Sequence, residues 1–158
     1  MLGMLGMVCI MTKIPAPSAI RKADRDLAAM LEQHEGRRSH PYRDHVGKLT
    51  IGVGRNLDDR GLSADEIDVL LANDISIARS GCRALFPAFD GFNSKRQAGL
   101  ISMAFNLGQT RLAGFKRMRA AVNAGNWTDA STEALDSYWA GQVGRRASQI
   151  AALLRSSD

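Results

Sequence analysis

The apolar spacing of the chain turns from helical to strand-like at a single glycine. Leu27, Met30 and Leu31 recur at helical spacing up to Glu35, and Gly36 then supplies a helix stop. Beyond it Tyr42, Val46, Leu49, Ile51 and Val53 stand in strand-like surroundings, with Gly47, Gly52 and Gly54 as turn or bulge points. The pattern predicts a helix from Asp24 to Glu35, then a short β-hairpin and a β-rich stretch to about Leu57.

After the turn Asp58-Asp59-Arg60-Gly61 the helical period returns and stays. Ser63-Ala64-Asp65-Glu66 reads as a capping box, opening a helix with Ile67, Leu70, Leu71, Ile77 and Ala78 on one face that should run to about Ser80. Gly81 and Pro87 are the next expected breaks. Ser94-Lys95-Arg96-Gln97 reads as a second capping box, for a helix carrying Ala98, Leu100, Ile101, Ala104 and Phe105 and closed by Gly108. Helical segments are expected at Phe115–Ala124, with Gly125 at its end, at Thr128–Trp139, and from about Arg145 to Arg155. One early sheet in an otherwise helical chain, without repeats, means an α+β, mainly helical fold.

A length of 158 residues suits one domain with a real core, large enough for two lobes. Net charge is +5 and the pI near 9.7, which favours polyanionic partners without choosing among nucleic acid, anionic lipid and an anionic cell wall. The basic residues do not concentrate on one helix and no nucleic-acid motif occurs, so nucleic acid is not an expected partner. Cys9 and Cys82 are the only cysteines and are read as free thiols. His34, His40 and His45 lack metal-ligand spacing, so neither a metal nor another cofactor is expected.

Met1–Met11 is apolar but too short to span a bilayer, and it lacks the basic start and cleavage site of a signal peptide. Two readings stand: a weak export or membrane-associating segment, or an extension ahead of a start at Met11, with the second favoured. Pro15, Pro17 and Ser18 form a linker. The tail is taken as residues 1–23.

Chemistry concentrates between Glu35 and Asn56. Glu35 closes a helix, Asp44 lies nine residues on and Thr50 six further, on or beside the hairpin. Two carboxylates on different elements can work as an acid and a base on one bond. Acting as acid and base on one bond, the two would need environments that push their proton affinities apart. A partly apolar surround for Glu35 and a solvated hairpin for Asp44 would do this.

The whole string, with Glu35-Gly36, Tyr42-Arg43-Asp44, Gly47 and Thr50-Ile51-Gly52-Val53-Gly54, resembles the phage-type (T4-like) lysozymes. Ala98 to Gly108, Ala113-Gly114-Phe115, Trp127, Trp139 and Gly141 to Arg146 also fall in family order, so the resemblance covers roughly residues 24 to 155. It implies a lysozyme-like fold: an N-terminal lobe (24–62) with a short antiparallel sheet, a linking helix (63–80) and a helical C-terminal lobe (81–158), with the substrate cleft between the lobes. It implies hydrolysis of the β-1,4 bond between N-acetylmuramic acid and N-acetylglucosamine in peptidoglycan, with inversion. Glu35 matches the general acid, Asp44 the carboxylate that assists the attacking water, and Thr50 the hydroxyl that helps position it. Phe105 and Asn56 match substrate-lining positions, and Arg145 or Arg146 would approach the acid.

Two departures stand out: Arg55 where the family commonly has His, and a segment between Leu57 and Ser63 too short for a small extra helix. The expected protein is a monomeric phage or prophage endolysin, made in the host cytoplasm and acting on the wall. The alternatives are a lytic transglycosylase and a catalytically silent wall-binding or structural module, such as part of a phage tail.

Overall fold

The computed structural model describes residues 20–157, so the apolar start, Cys9 and the proline linker lie outside the described residues. The fold is α+β, with one small antiparallel sheet among helices. It divides into two compact units, one ending at Val69 and the other beginning at Leu70.

In the first unit a short 3-10 turn leads into α1 (Arg25–Glu35). Gly36 ends it at φ 74°, its N–H bonded to the Glu32 carbonyl at 2.9 Å. Strands β1 (Arg38–Arg43), β2 (Leu49–Gly52) and β3 (Arg55–Asn56) follow in antiparallel order β1-β2-β3. Tyr42 pairs with Thr50, and Thr50 with Asn56, which puts these three side chains on one face. Between Arg38 and Tyr42 the register slips, and β1 uses four residue steps where β2 uses two. Leu57 to Gly61 is a turn without the extra helix, and Arg55 forms an ion pair with Glu66.

Helix α2 (Ala64–Leu85) contains the boundary between the units. Its capping box forms as expected: the Ser63 N–H donates to Glu66 Oε2 at 2.8 Å and the Glu66 N–H to Ser63 Oγ at 3.3 Å. The expected end near Ser80 is wrong by about a turn. Gly81 does not break the helix; it is buried, and a Cβ there would stand 3.3 Å from Gln109 Cβ. The stop comes from Pro87, which bars helical geometry at Phe86.

The second unit holds the apolar core. The end of α2 contributes Ala78, Cys82 and Leu85, and Phe86, Phe89, Leu100, Met103, Leu112, Ile150 and Leu154 complete its centre. Each large side chain so buried contributes about 1.5–3 kcal/mol over exposure. Helix α3 (Ser94–Ala113) is capped one residue earlier than expected. Asn93 Oδ1 accepts the Arg96 N–H at 2.8 Å, and Gln97 Nε2 reaches the Phe92 carbonyl at 2.8 Å. Asn competes as well as Ser for this role, and the chain turns helical at Ser94. Gly108, at φ 74° and ψ 160°, leaves helical geometry as expected, but the helix resumes at once to Ala113.

Helices α4 (Lys116–Asn123) and α7 (Arg145–Arg155) match expectation within a residue or so. The segment expected over Thr128–Trp139 splits into α5 (Trp127–Leu135) and α6 (Tyr138–Val143). Asp136 leaves helical ψ, and Ser137 is extended, its Oγ accepting the Ala140 N–H at 3.1 Å. A serine N-cap inside the apolar pattern restarts the helix there.

Candidate active site

Glu35, Asp44, Thr50 and Asn56 all belong to the first unit. Glu35 is the last residue of α1, and its carboxyl lies over the β2–β3 turn: a Cβ built on Gly54 would stand 3.5 Å from Glu35 Oε2. Gly54 holds φ 74°, so a glycine at this turn both permits the backbone and leaves a flat floor under the carboxyl. Among the described residues of its unit, Glu35 has no hydrogen-bond or ion-pair partner.

Asp44 follows β1 and organises the hairpin turn. Its Oδ1 accepts the Val46 N–H at 3.0 Å and the Lys48 N–H at 2.9 Å, and its own N–H donates to the Lys48 carbonyl at 3.0 Å. Aspartate is suited to this because its short carboxylate reaches backbone two residues on. Oδ2 has no hydrogen-bond partner among the described residues, so one oxygen holds the turn and the other is open to a ligand.

Thr50 is buried, at 3% exposure, in the middle strand of the sheet. Its hydroxyl donates to the Lys48 carbonyl at 3.1 Å, which leaves the oxygen's lone pairs to accept. Lys48 thus ties Asp44 and Thr50 to one backbone segment. Its ammonium lies 2.8 Å from Asp59 Oδ1, and that hydrogen bond raises the Lys48 pKa and lowers that of Asp59.

Within the first unit the two carboxyls differ in exposure. Glu35 is exposed and Asp44 half-buried, because two backbone donors draw Asp44 into its turn while no described residue of this unit encloses the end of α1. Asn56 is half-buried beside Thr50, its amide taken up by the next turn: Oδ1 accepts the Asp59 N–H at 2.9 Å and Nδ2 donates to Asp59 Oδ2 at 3.0 Å.

Phe105 belongs to the second unit. It stands on α3 at 44% exposure and lines a cavity of about 310 Å³ with Asp74, Ile77, Gly108 and Gln109. Arg146 donates to Ser102 Oγ at 3.2 Å, and Arg145 is exposed. Sequence reasoning missed a larger cavity of about 880 Å³ in this unit, lined by Arg111, Phe115, Lys116, Tyr138 and Trp139 among others. Trp139 is fixed by donating to Asn106 Oδ1 at 2.7 Å and by an edge-on contact with Phe115. The signal available was the aromatic pair Tyr138-Trp139 after the serine cap.

Glu35, Asp44 and Thr50 place two carboxyls and a hydroxyl on one small scaffold, the residue types that acid–base chemistry on a bond requires. Among the described residues no group of three or more His, Cys, Asp or Glu could hold a metal, and no helix is long and apolar enough to cross a membrane.

Comparison with known proteins identifies a family. The family profile described as phage lysozyme matches residues 32–155. The pre-baseplate central spike protein of Enterobacteria phage T4 is 26% identical over 160 aligned residues, covering 84% of this chain and 28% of its own length. Probable T4-type lysozyme 2 of Dictyostelium discoideum is 24% identical, covering 78% of this chain and 90% of its own, and probable T4-type lysozyme 1 is 22% identical, covering 80% and 92%. The chain therefore spans under a third of the spike protein and nearly all of the two Dictyostelium proteins.

Proposed function

Because the chain belongs to the phage lysozyme family, we propose that it is a muramidase that hydrolyses the β-1,4 bond between N-acetylmuramic acid and N-acetylglucosamine in bacterial peptidoglycan. Glu35 laid over Gly54, in the unit that also carries Asp44 and Thr50, is the observation that carries the assignment.

Protonated Glu35 gives its proton to the glycosidic oxygen as the C1–O bond breaks. A water donates one O–H to Asp44 and the other to the Thr50 oxygen, which aims its lone pair at C1. As the new C1–O bond forms, Asp44 takes the water proton. Water attacking from the face opposite the leaving group inverts the anomeric centre, which requires carboxyls about 6.5–9.5 Å apart. Asn56, beside Thr50, lines the sugar path. Made in the cytoplasm of a bacterial host, the protein acts on the wall, and its net charge of +5 favours that anionic surface. No cofactor or partner subunit takes part.

A second reading, a silent structural module of a phage particle, is favoured by the likeness to the T4 spike protein. Digestion of purified peptidoglycan by wild type and Glu35→Gln, with mass analysis of the fragments, decides. Reducing ends released by wild type alone support the muramidase. Anhydro ends would replace it with a lytic transglycosylase, and no release by either protein would favour the module.

A further inference from the structure

The exposed strand β1 carries an arginine that the reaction above does not use. In a regular strand Arg38 and Tyr42 would stand roughly 13 Å apart. The slip in register shortens that path, and the Arg38 guanidinium lies over the Tyr42 ring, 4.3 Å from its centre. The slip adds an even number of residues, so both side chains keep the same face. Tyr42 pairs directly with Thr50, so the stacked guanidinium stands on the face of the sheet that carries the Thr50 hydroxyl. Opposite Arg38 the partner strand presents Gly52, which has no side chain to cover it.

Arg38 is exposed and has no hydrogen bond or ion pair among the described residues, unlike its neighbours. Arg37 is taken up by Glu32 at 2.5 Å, Arg43 by the Gly47 carbonyl at 2.7 Å, and His40 by Ser39 at 3.1 Å. Glu32 is paired with Arg37, and Asp44 Oδ1 is turned into its hairpin. A guanidinium clamped by one face to an aromatic ring keeps its planar N–H edge free and has little rotamer freedom left to lose. Such an edge fits a carboxylate through two parallel hydrogen bonds.

We propose that Arg38, held on Tyr42, binds a carboxylate of the peptides that hang from the muramic acid residues of the substrate strand. Tyr42 is the positioning residue for this contact. The idea rests on the muramidase reading, since it supplies that site with a grip on the charged part of its substrate.

Binding and cleavage separate the two claims. Glu35→Gln, which leaves the wall intact, is co-sedimented with insoluble peptidoglycan, alone and combined with Arg38→Gln, Arg38→Lys or Tyr42→Leu. Arg38→Gln is expected to weaken retention at least about tenfold, the scale of a charged hydrogen-bonded contact. Arg38→Lys should recover only part of it, because an ammonium lacks the fork, and Tyr42→Leu should lose part of it. Amidating the wall carboxylates should erase the difference between Glu35→Gln and its Arg38→Gln double variant. In the cleaving enzyme Arg38→Gln should raise KM with kcat retained.

Equal retention of the two proteins overturns the proposal. So does a difference that survives amidation, which would assign Arg38 to a phosphodiester polymer. Failure of wild type to release fragments would sink the muramidase reading, while the sedimentation of Glu35→Gln still reads Arg38.

Discussion

Arg55 and Glu66 meet through two parallel hydrogen bonds, Nη1 to Oε2 at 2.8 Å and Nη2 to Oε1 at 2.5 Å. Glu66 Oε2 also accepts the Ser63 N–H, and Arg55 Nη1 reaches the Gly61 carbonyl at 3.2 Å, so one carboxylate ties β3, the turn and the start of α2 together. The Arg55 bond and then the Ser63 N–H hold the Glu66 carboxyl down at about 2 from an ordinary 4.5.

A carboxyl depressed in the folded state contributes stability that is fully present above its unfolded value. That contribution is lost as pH falls through the folded one. The thermal midpoint of the wild type should therefore drop between pH 4.5 and about 2 more steeply than that of Glu66→Gln. Parallel profiles would show that the pair does not stabilise the fold. Both side chains are partly solvated, so added salt should shrink the difference.

Gly54→Ala should disturb stability and activity together. The new methyl would be in ordinary contact with Glu35, so steric clash is not the cause. A left-handed backbone at a non-glycine residue costs about 1–2 kcal/mol. Relaxing it would shift the floor beneath the carboxyl. Denaturant unfolding and kcat measured on the same preparation test this, and a stable, fully active variant would contradict it.

Asp44 offers a cleaner separation of fold from chemistry. In Asp44→Asn the amide oxygen can accept the Val46 and Lys48 N–H groups as the carboxylate does, so stability should stay within about 0.5 kcal/mol of wild type. Asp44→Ala leaves both donors unpaired and should cost about 1 kcal/mol or more. Both should lose activity by about 10²–10⁴ fold, the usual worth of a general base. Retained activity in Asp44→Asn would remove Asp44 from the mechanism.

Cys82 should be inert in the native protein. Its side chain is fully enclosed, and burial pushes the thiol pKa up to about 12, only partly opposed by Arg79. The thiolate that reacts is then absent near neutral pH. Site-resolved mass spectrometry after a thiol reagent should find Cys82 modified only in denaturant, and rapid labelling of folded protein would count against this packing.

Much of the fold was legible because its signals are local. Helix α1 and its glycine stop, the hairpin glycines and the Ser63–Glu66 box each depend on residues within four positions of one another. The misread ends depend on distant or competing partners. Gly81 looks like a break until Gln109 packs against it, Asn93 and Ser94 compete for one cap, and Ser137 interrupts an apolar pattern that would otherwise run on. At the site, the residue types of Glu35, Asp44 and Thr50 could be read from the string. The stack of Arg38 on Tyr42 could not, because it exists only where β1 slips against β2.

The double duty proposed for Asp44, in the turn and in the reaction, bears on how such a chain would decay. A lineage released from selection for catalysis would still need an acceptor at position 44 to close the hairpin, so Asp or Asn should persist there. Glu35, whose side chain closes no turn and bonds no described residue of its unit, is free to drift. Among descendants of this fold, the residue at position 35 is therefore the sensitive record of lost activity, and the residue at position 44 a poor one.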